Sequence, residues 1–203
     1  MNHDTAVVVL AAGAASRYKG ERHKLAELLG GMSVLARTIT QAQASGFPVV
    51  AVTTPVLLPE VADLLPARDI VLVPEAGPRR GMGDSIASGV TGRASASGWL
   101  ILPGDMPLVR PDTLRAVSDA LEQQPVAFAQ YRGRRGHTVG FGAELFSDLV
   151  RLQGDEGARR LLARYPTAAV EVDDPGVLMD IDTVADLDAA RQRLGVPAGV
   201  STF

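Results

Sequence analysis

Four short apolar runs, at residues 7–10, 49–52, 70–73 and 99–102, are rich in Val, Ile and Leu, and helical periodicity fills the stretches between them. A run that is apolar on both faces and too short for a helix reads as a strand buried in a parallel sheet. Helical patterns occupy 34–44, 58–65 and 85–90, and another is predicted over 112–123 behind Pro111, a favourable first-turn residue. This rhythm predicts an α/β fold with a Rossmann-like, mostly parallel central sheet and helices on both faces. Right-handed crossovers then gather the C-terminal strand ends along one edge, and ligands of such sheets bind outside that edge. The residues immediately after each strand therefore carry the functional information.

The second half is less regular. Residues 126–130 and 138–141 read as strands joined through Arg132-Gly133-Arg134-Arg135-Gly136. Helical patterns follow at 144–152 and 156–164, then a strand at 168–172 and an extended stretch at 177–181. A last helix is predicted over 184–194, capped by Thr183 or Asp182 and ended by Gly195. The length of 203 residues suits one large domain, 1–203.

Composition narrows the chemistry. With no cysteine, disulfides, thiolate metal sites and a cysteine nucleophile are excluded. The formal net charge of -3 lacks the basic footprint of a nucleic-acid-binding protein. The first apolar run, 6–12, is too short to span a bilayer and follows Asp4 rather than a basic segment, so a cytoplasmic protein without a membrane partner is expected.

The turn after the first strand reads Leu10-Ala11-Ala12-Gly13-Ala14-Ala15-Ser16-Arg17, with Lys24 downstream. Small residues permit close approach of backbone to phosphate, and successive N–H groups form an anion-binding nest. Arg17 supplies a fork and Lys24 a point charge. Neither the G-x-G-x-x-G pattern nor the G-x-x-x-x-G-K-[ST] pattern is present. A tight turn with two solvated cations is the plain alternative. Asp105, between Gly104 and Met106-Pro107, follows a central strand, where a carboxylate suits Mg²⁺ or, more simply, closes a turn. Asp180 and Asp182 alternate in an extended stretch, which places both on one face. Either can join Asp105, although Asp182 is also a helix-cap candidate. Gly81-Met82-Gly83-Asp84-Ser85 opens a helix where Ser85 caps or meets a base, after the cationic pair Arg79-Arg80. Arg132, Arg134, Arg135 and His137 form a cationic turn suited to an anion.

Six segments in order resemble the MobA-like NTP transferases, which build molybdenum cofactors. They are Leu10-Ala11-Ala12-Gly13-x-x-Ser16-Arg17 with Lys24-Leu25; Gly81-Met82-Gly83-Asp84-Ser85-Ile86; Leu102-Pro103-Gly104-Asp105-Met106-Pro107; Arg135-Gly136-His137; Gly154-Asp155-x-Gly157-Ala158-Arg159; and Asp180-Ile181-Asp182-Thr183. The resemblance covers about residues 6 to 194 and lies nearest the molybdenum cofactor cytidylyltransferases and the CoxI-like accessory proteins. It departs in the longer spacing between Arg17 and Lys24, in Thr138 after His137 and in Val184 after Thr183, each of the last two in place of proline.

The resemblance implies a nucleotide-diphospho-sugar transferase fold with an NTP-binding part, 6–123, and an acceptor-binding and closing part, 124–195. It implies transfer of a nucleoside monophosphate from an NTP to the phosphate of a molybdopterin-type acceptor, with Mg²⁺ as cofactor and a molybdoenzyme as a protein partner. Leu10, Ala11, Ala12, Gly13, Ser16, Arg17, Lys24, Gly83 and Ser85 are the expected nucleotide-binding residues. Arg17, Lys24 and Asp105 are the expected catalytic set. Arg135 and His137 are expected at the acceptor, and Asp105 with Asp182 at the metal. Alanine rather than glycine at position 12 favours CTP over GTP. A non-catalytic nucleotide- or cofactor-binding accessory protein is the other class.

Overall fold

A computed structural model describes residues 4–13, 18–20, 22–75, 81–154 and 158–196. The chain opens with β1 (Thr5–Ala11), then a small antiparallel pair, β2 (Leu28–Leu29) and β3 (Met32–Ser33), and α1 (Val34–Ala44). β4 (Val49–Thr53), β5 (Ile70–Leu72), α2 (Met82–Gly92), β6 (Gly98–Pro103) and α3 (Pro111–Ala120) complete the regular first half. β7 (Val126–Tyr131), β8 (Arg134–Gly142), α4 (Phe146–Leu149), α5 (Arg159–Arg164), β9 (Thr167–Glu171) and α6 (Val184–Leu194) follow.

Seven strands form one sheet in the order β5-β4-β1-β6-β8-β7-β9. β1 pairs in parallel with both β4 and β6, β4 with β5, and β7 with β9, while β8 runs against both β6 and β7. From β1 the chain moves outward to β4 and β5, then crosses back to place β6 on the other side of β1. The crevice at such a reversal is where open α/β sheets bind ligands. Here it lies beyond Ala11 and Pro103.

Alternation along the strands divides the core. Val7, Val9 and Ala11 face a cluster containing Leu35 and Ile39 of α1, Leu114 and Val117 of α3, and Leu187 and Ala190 of α6. Ala6 and Val8 face Ile86 and Val90 of α2, Leu149 of α4 and Leu161 of α5. Each fully buried large apolar side chain contributes about 1.5–3 kcal/mol. Such side chains, Trp99, Phe141 and Leu100 among them, come from strands near the sheet centre as well as the helices. Among the described residues, no helix is long and apolar enough to cross a membrane.

Three expected elements differ. The pattern at 58–65 is not an α-helix: a 3-10 stretch, Pro55–Glu60, is followed by turns, and Pro66, which disfavours helical backbone at Leu65, stops the segment there. The 144–152 pattern resolves into a 3-10 turn, Ala143–Leu145, and the single-turn α4. The 177–181 stretch is not a strand: a 3-10 turn, Pro175–Leu178, leads into residues 179–182 without a sheet partner. The predicted turn 132–136 is also tighter than expected. Arg132 (φ 51°) and Gly133 (φ 71°) alone connect β7 to β8, and both their N–H groups donate to the Glu171 carboxylate. Arg134, Arg135 and His137 consequently belong to β8 rather than to a loop.

Candidate active site

At the mouth of the β1/β6 crevice, the Lys24 ammonium lies between two carboxylates that are 77 residues apart in the sequence. Its Nζ donates to Asp105 Oδ2 at 2.6 Å and to Asp182 Oδ1 at 2.7 Å. All three side chains are mostly buried, at 12, 17 and 18 % exposure. Burial pulls the Lys24 pKa down, but the charge and hydrogen bond of Asp105, with the hydrogen bond and charge of Asp182, outweigh it and hold the value above that of ordinary lysine. Asp105 Oδ1 is buried without a hydrogen-bond partner among the described residues.

Local chemistry explains the convergence. Gly104 donates its N–H to Leu10 C=O, and the Thr38 hydroxyl of α1 donates to Gly104 C=O. An added Cβ on Gly104 would stand 2.9 Å from Leu10 O, so glycine is required where β6 leaves the sheet beside β1. Asp105 follows at once, and its own C=O accepts from Ile181 N–H at 3.0 Å. That bond brings the segment before α6 against the end of β6 and sets Asp182 beside Asp105. The expected competition for Asp182 is resolved by its neighbour: Thr183 caps α6, with Asp186 completing the reciprocal box. Asp180 is not in the cluster with Lys24. It lines a cavity with Met179, Ile181 and Asp186 instead. The same-face argument for Asp180 and Asp182 required a strand, and none forms there.

Lys24 begins a 3-10 turn, Lys24–Ala26, anchored by buried Leu25. His23 caps it, its Nδ1 accepting from Leu25 N–H. Burial lowers the His23 pKa, a hydrogen bond to the Gly13 backbone opposes the shift, and the Lys24 charge adds to it. Gly13, in the loop after β1, is thus near the His23 ring. In that loop Ala11 and Ala12 are buried and Gly13 is exposed, with open space where a Cβ would be. Ala12 is 6 % exposed within the α2-side cluster, so most of its methyl packs into the core. Leu10 is partly buried beside that cluster. Ser16 and Arg17 lie outside the described residues, as do Arg79 and Arg80.

At the start of α2, Gly83 and Ser85 are buried. Asp84 Oδ2 accepts from Gly81 N–H and from Gly154 N–H, both at 2.9 Å. A Cβ on Gly83 would stand 3.0 Å from the Gln153 backbone. The start of α2 is thus locked to the turn at 153–154. Asp84 was not singled out from the sequence. Its position three residues after Gly81 signals a carboxylate reaching back to the N-cap N–H, but the partner 70 residues away leaves no local trace.

Arg135 and His137 are exposed near the start of β8. Because β8 runs against its neighbours, that start lies at the same edge as Asp105. The Arg135 guanidinium rests 4.8 Å from the Phe128 ring centroid. Burial and the Arg159 charge pull its pKa down. The structure therefore brings Lys24, Asp105 and Asp182 into direct contact and places Arg135 and His137 along the same edge.

The pattern of the MobA-like NTP transferase domain matches residues 7–170. The chain belongs to the MobA-like NTP transferase family. Purine catabolism protein PucB of Bacillus subtilis (strain 168) is 36 % identical over 120 residues, which span 57 % of this chain and 58 % of PucB. The Rv0371c homolog from Mycobacterium sp. strain JC1 superposes with a TM-score of 0.82 at 28 % identity, covering 96 % of this chain and all of that one. Rv0371c of Mycobacterium tuberculosis H37Rv, solved in complex with manganese, superposes with a TM-score of 0.76 at 26 % identity, covering 95 % of this chain and all of that one.

A divalent ion fits the residues of this MobA-like site. Two carboxylates converge on one cation, and the remaining oxygen of Asp105 is buried with no donor of its own among the described residues. Among the described residues, no group of three or more carboxylates and histidines surrounds the position. Mg²⁺ commonly takes only one or two carboxylates and completes its shell with water and substrate phosphate.

Proposed function

We propose that the protein is a Mg²⁺-dependent nucleotidyltransferase that moves a nucleoside monophosphate, with CTP as the favoured donor, onto the phosphate of a molybdopterin-type acceptor in the cytoplasm. The observation that carries the reading is the Lys24 ammonium held between Asp105 and Asp182 at the β1/β6 crevice. Family membership supports nucleotidyl transfer. The six segments nearest the cytidylyltransferase branch, with Leu10-Ala11-Ala12-Gly13 among them, support the donor and acceptor.

An ionised acceptor phosphate attacks the α-phosphorus in line. The new bond joins acceptor oxygen to α-phosphorus, the α–β bridge breaks, and pyrophosphate leaves with the electron pair. No general base is needed, because the attacking oxygen carries no proton. Such chemistry depends on positioning and charge neutralisation. Asp105 and Asp182 hold Mg²⁺, which supplies charge neutralisation on the phosphates. Arg17 and Lys24 offset charge on the triphosphate and the leaving group. Gly13 leaves backbone approach open, while Gly83 and Ser85 sit where α2 meets the nucleoside. Arg135 and His137 receive the acceptor's anionic end.

The test is pyrophosphate release with Mg²⁺, molybdopterin cofactor and a panel of NTPs. Product with CTP and not GTP supports the full reading. Product with GTP alone overturns the donor. Tight nucleotide binding without pyrophosphate favours the accessory role. The Asp105→Ala variant is expected to fold and to lose roughly 10³-fold in kcat, the scale of several kcal/mol of charge stabilisation. Wild-type turnover by that variant removes the metal role.

A further inference from the structure

We propose that Lys24 gates the metal position: its ammonium occupies the place of the ion between Asp105 and Asp182 and yields it only when a triphosphate arrives. This deepens the reading of the site as one for metal and triphosphate, and rests on it.

The two cations cannot share the same pair of oxygens. Nζ stands within 2.7 Å of one oxygen from each aspartate, and the three side chains are largely shielded from water. A magnesium ion bound to the same oxygens at about 2.0–2.1 Å would occupy the nitrogen's position. Keeping the ammonium nearby instead would set a dication against a cation where solvent screens them poorly. The lysine must therefore move for the ion to bridge Asp105 Oδ2 and Asp182 Oδ1.

The free protein gives little reason for that exchange. Lys24 already forms two charge-assisted hydrogen bonds, and leaving them would strand an ammonium at the edge of a buried site. The incoming ion would gain only two carboxylates, because no larger cluster of metal ligands surrounds them among the described residues. A triphosphate changes both sides of the balance. It offers the ion further oxygens and offers the displaced ammonium new anionic partners. The strand that leads into the loop expected to hold those phosphates, β1, lies beside β6, which ends just before Asp105. Metal and nucleotide consequently load as a pair, and each raises the affinity of the other.

The experiment measures Mn²⁺ binding to the full chain by the loss of the free-ion paramagnetic signal, with and without an α,β-methylene NTP analogue. Wild-type protein is expected to bind Mn²⁺ roughly tenfold or more tightly with the analogue than without it. Lys24→Met, without nucleotide, is expected to bind Mn²⁺ roughly tenfold or more tightly than wild type, since a neighbouring positive charge is gone. Mn²⁺ alone should raise its melting temperature, and adding Asp105→Asn should abolish both gains. Equal affinities for wild type and Lys24→Met, or a wild-type affinity indifferent to the analogue, overturn the gate. Should Lys24→Met not fold, Lys24→Gln, also uncharged, takes its place in the same nucleotide-free comparison. The two readings fail separately. Gated Mn²⁺ binding without pyrophosphate release from any NTP keeps the gate and removes the transferase. Pyrophosphate release with Mn²⁺ affinity independent of Lys24 does the reverse.

Discussion

Burial alone would drive the Lys24 ammonium toward neutrality, and two aspartates reverse the outcome. A lysine with a raised folded pKa lends stability that is complete below the unfolded value, about 10.4, and is lost as pH rises through the higher folded value. The lysine side of the bridge therefore stays charged through neutral pH. His23 behaves oppositely, because burial makes its charged form costly. With a folded pKa below 6.5, it lends stability that is present above that pH and is lost as pH falls through the folded value. Protonation also turns Nδ1 from an acceptor into a donor facing Leu25 N–H. Melting temperature is expected to fall on acidification below about pH 6.5, and His23→Gln is expected to flatten that part of the profile. An unchanged profile in the variant removes His23 as the cause. Lys24, Asp105 and Asp182 were readable in the sequence because each sits in an ordered motif. Spacing alone fits Asp180 as well as Asp182; the motif resemblance favoured Asp182, and it is Asp182 that meets Lys24 beside Asp105.

Helices with strong punctuation were legible to the residue. α1 starts after Ser33, whose hydroxyl accepts from Ala36 N–H, and α6 runs from the Thr183 cap to Gly195 in the left-handed region. The weaker helices were overcalled because apolar spacing does not tell a 3-10 stretch from an α-helix, nor foresee a tertiary turn that cuts a helix to four residues. Element junctions that join distant segments had no sequence signal. The Asp84 carboxylate is such a junction, and removing it strands two backbone donors. Asp84→Ala is expected to cost about 1–3 kcal/mol in denaturant unfolding. Hydrogen exchange at 152–154 is expected to quicken in the same variant. Unaltered exchange there, with stability within error of wild type, would show that the junction carries no load.

At the scale of the whole molecule, the parallel half was foreseeable because its strands are short apolar runs with helical patterns between them. The order of the far half was not. Nothing in the residues 126–142 states that β8 will insert between β6 and β7 with β9 outermost, since that is decided by which faces remain to be covered. One functional expectation belongs to this scale. Arg135 lies on the later half, so Arg135→Ala is expected to raise the acceptor KM about 10- to 100-fold, the worth of one charged hydrogen bond, with the NTP KM unchanged. Steady-state kinetics with each substrate varied in turn checks this. Equal rises in both constants would mean that the arginine supports the site as a whole.

The reversed strand separates two parts of the sheet edge. Its hairpin with β7 is closed by two residues whose amides are clasped by Glu171. Lengthening that tip, or exchanging the first residues of β8, would redecorate one stretch of the edge while the Lys24–Asp105–Asp182 junction, built from other segments, kept its shape. Change at a single bend is thereby insulated from the ion pairs.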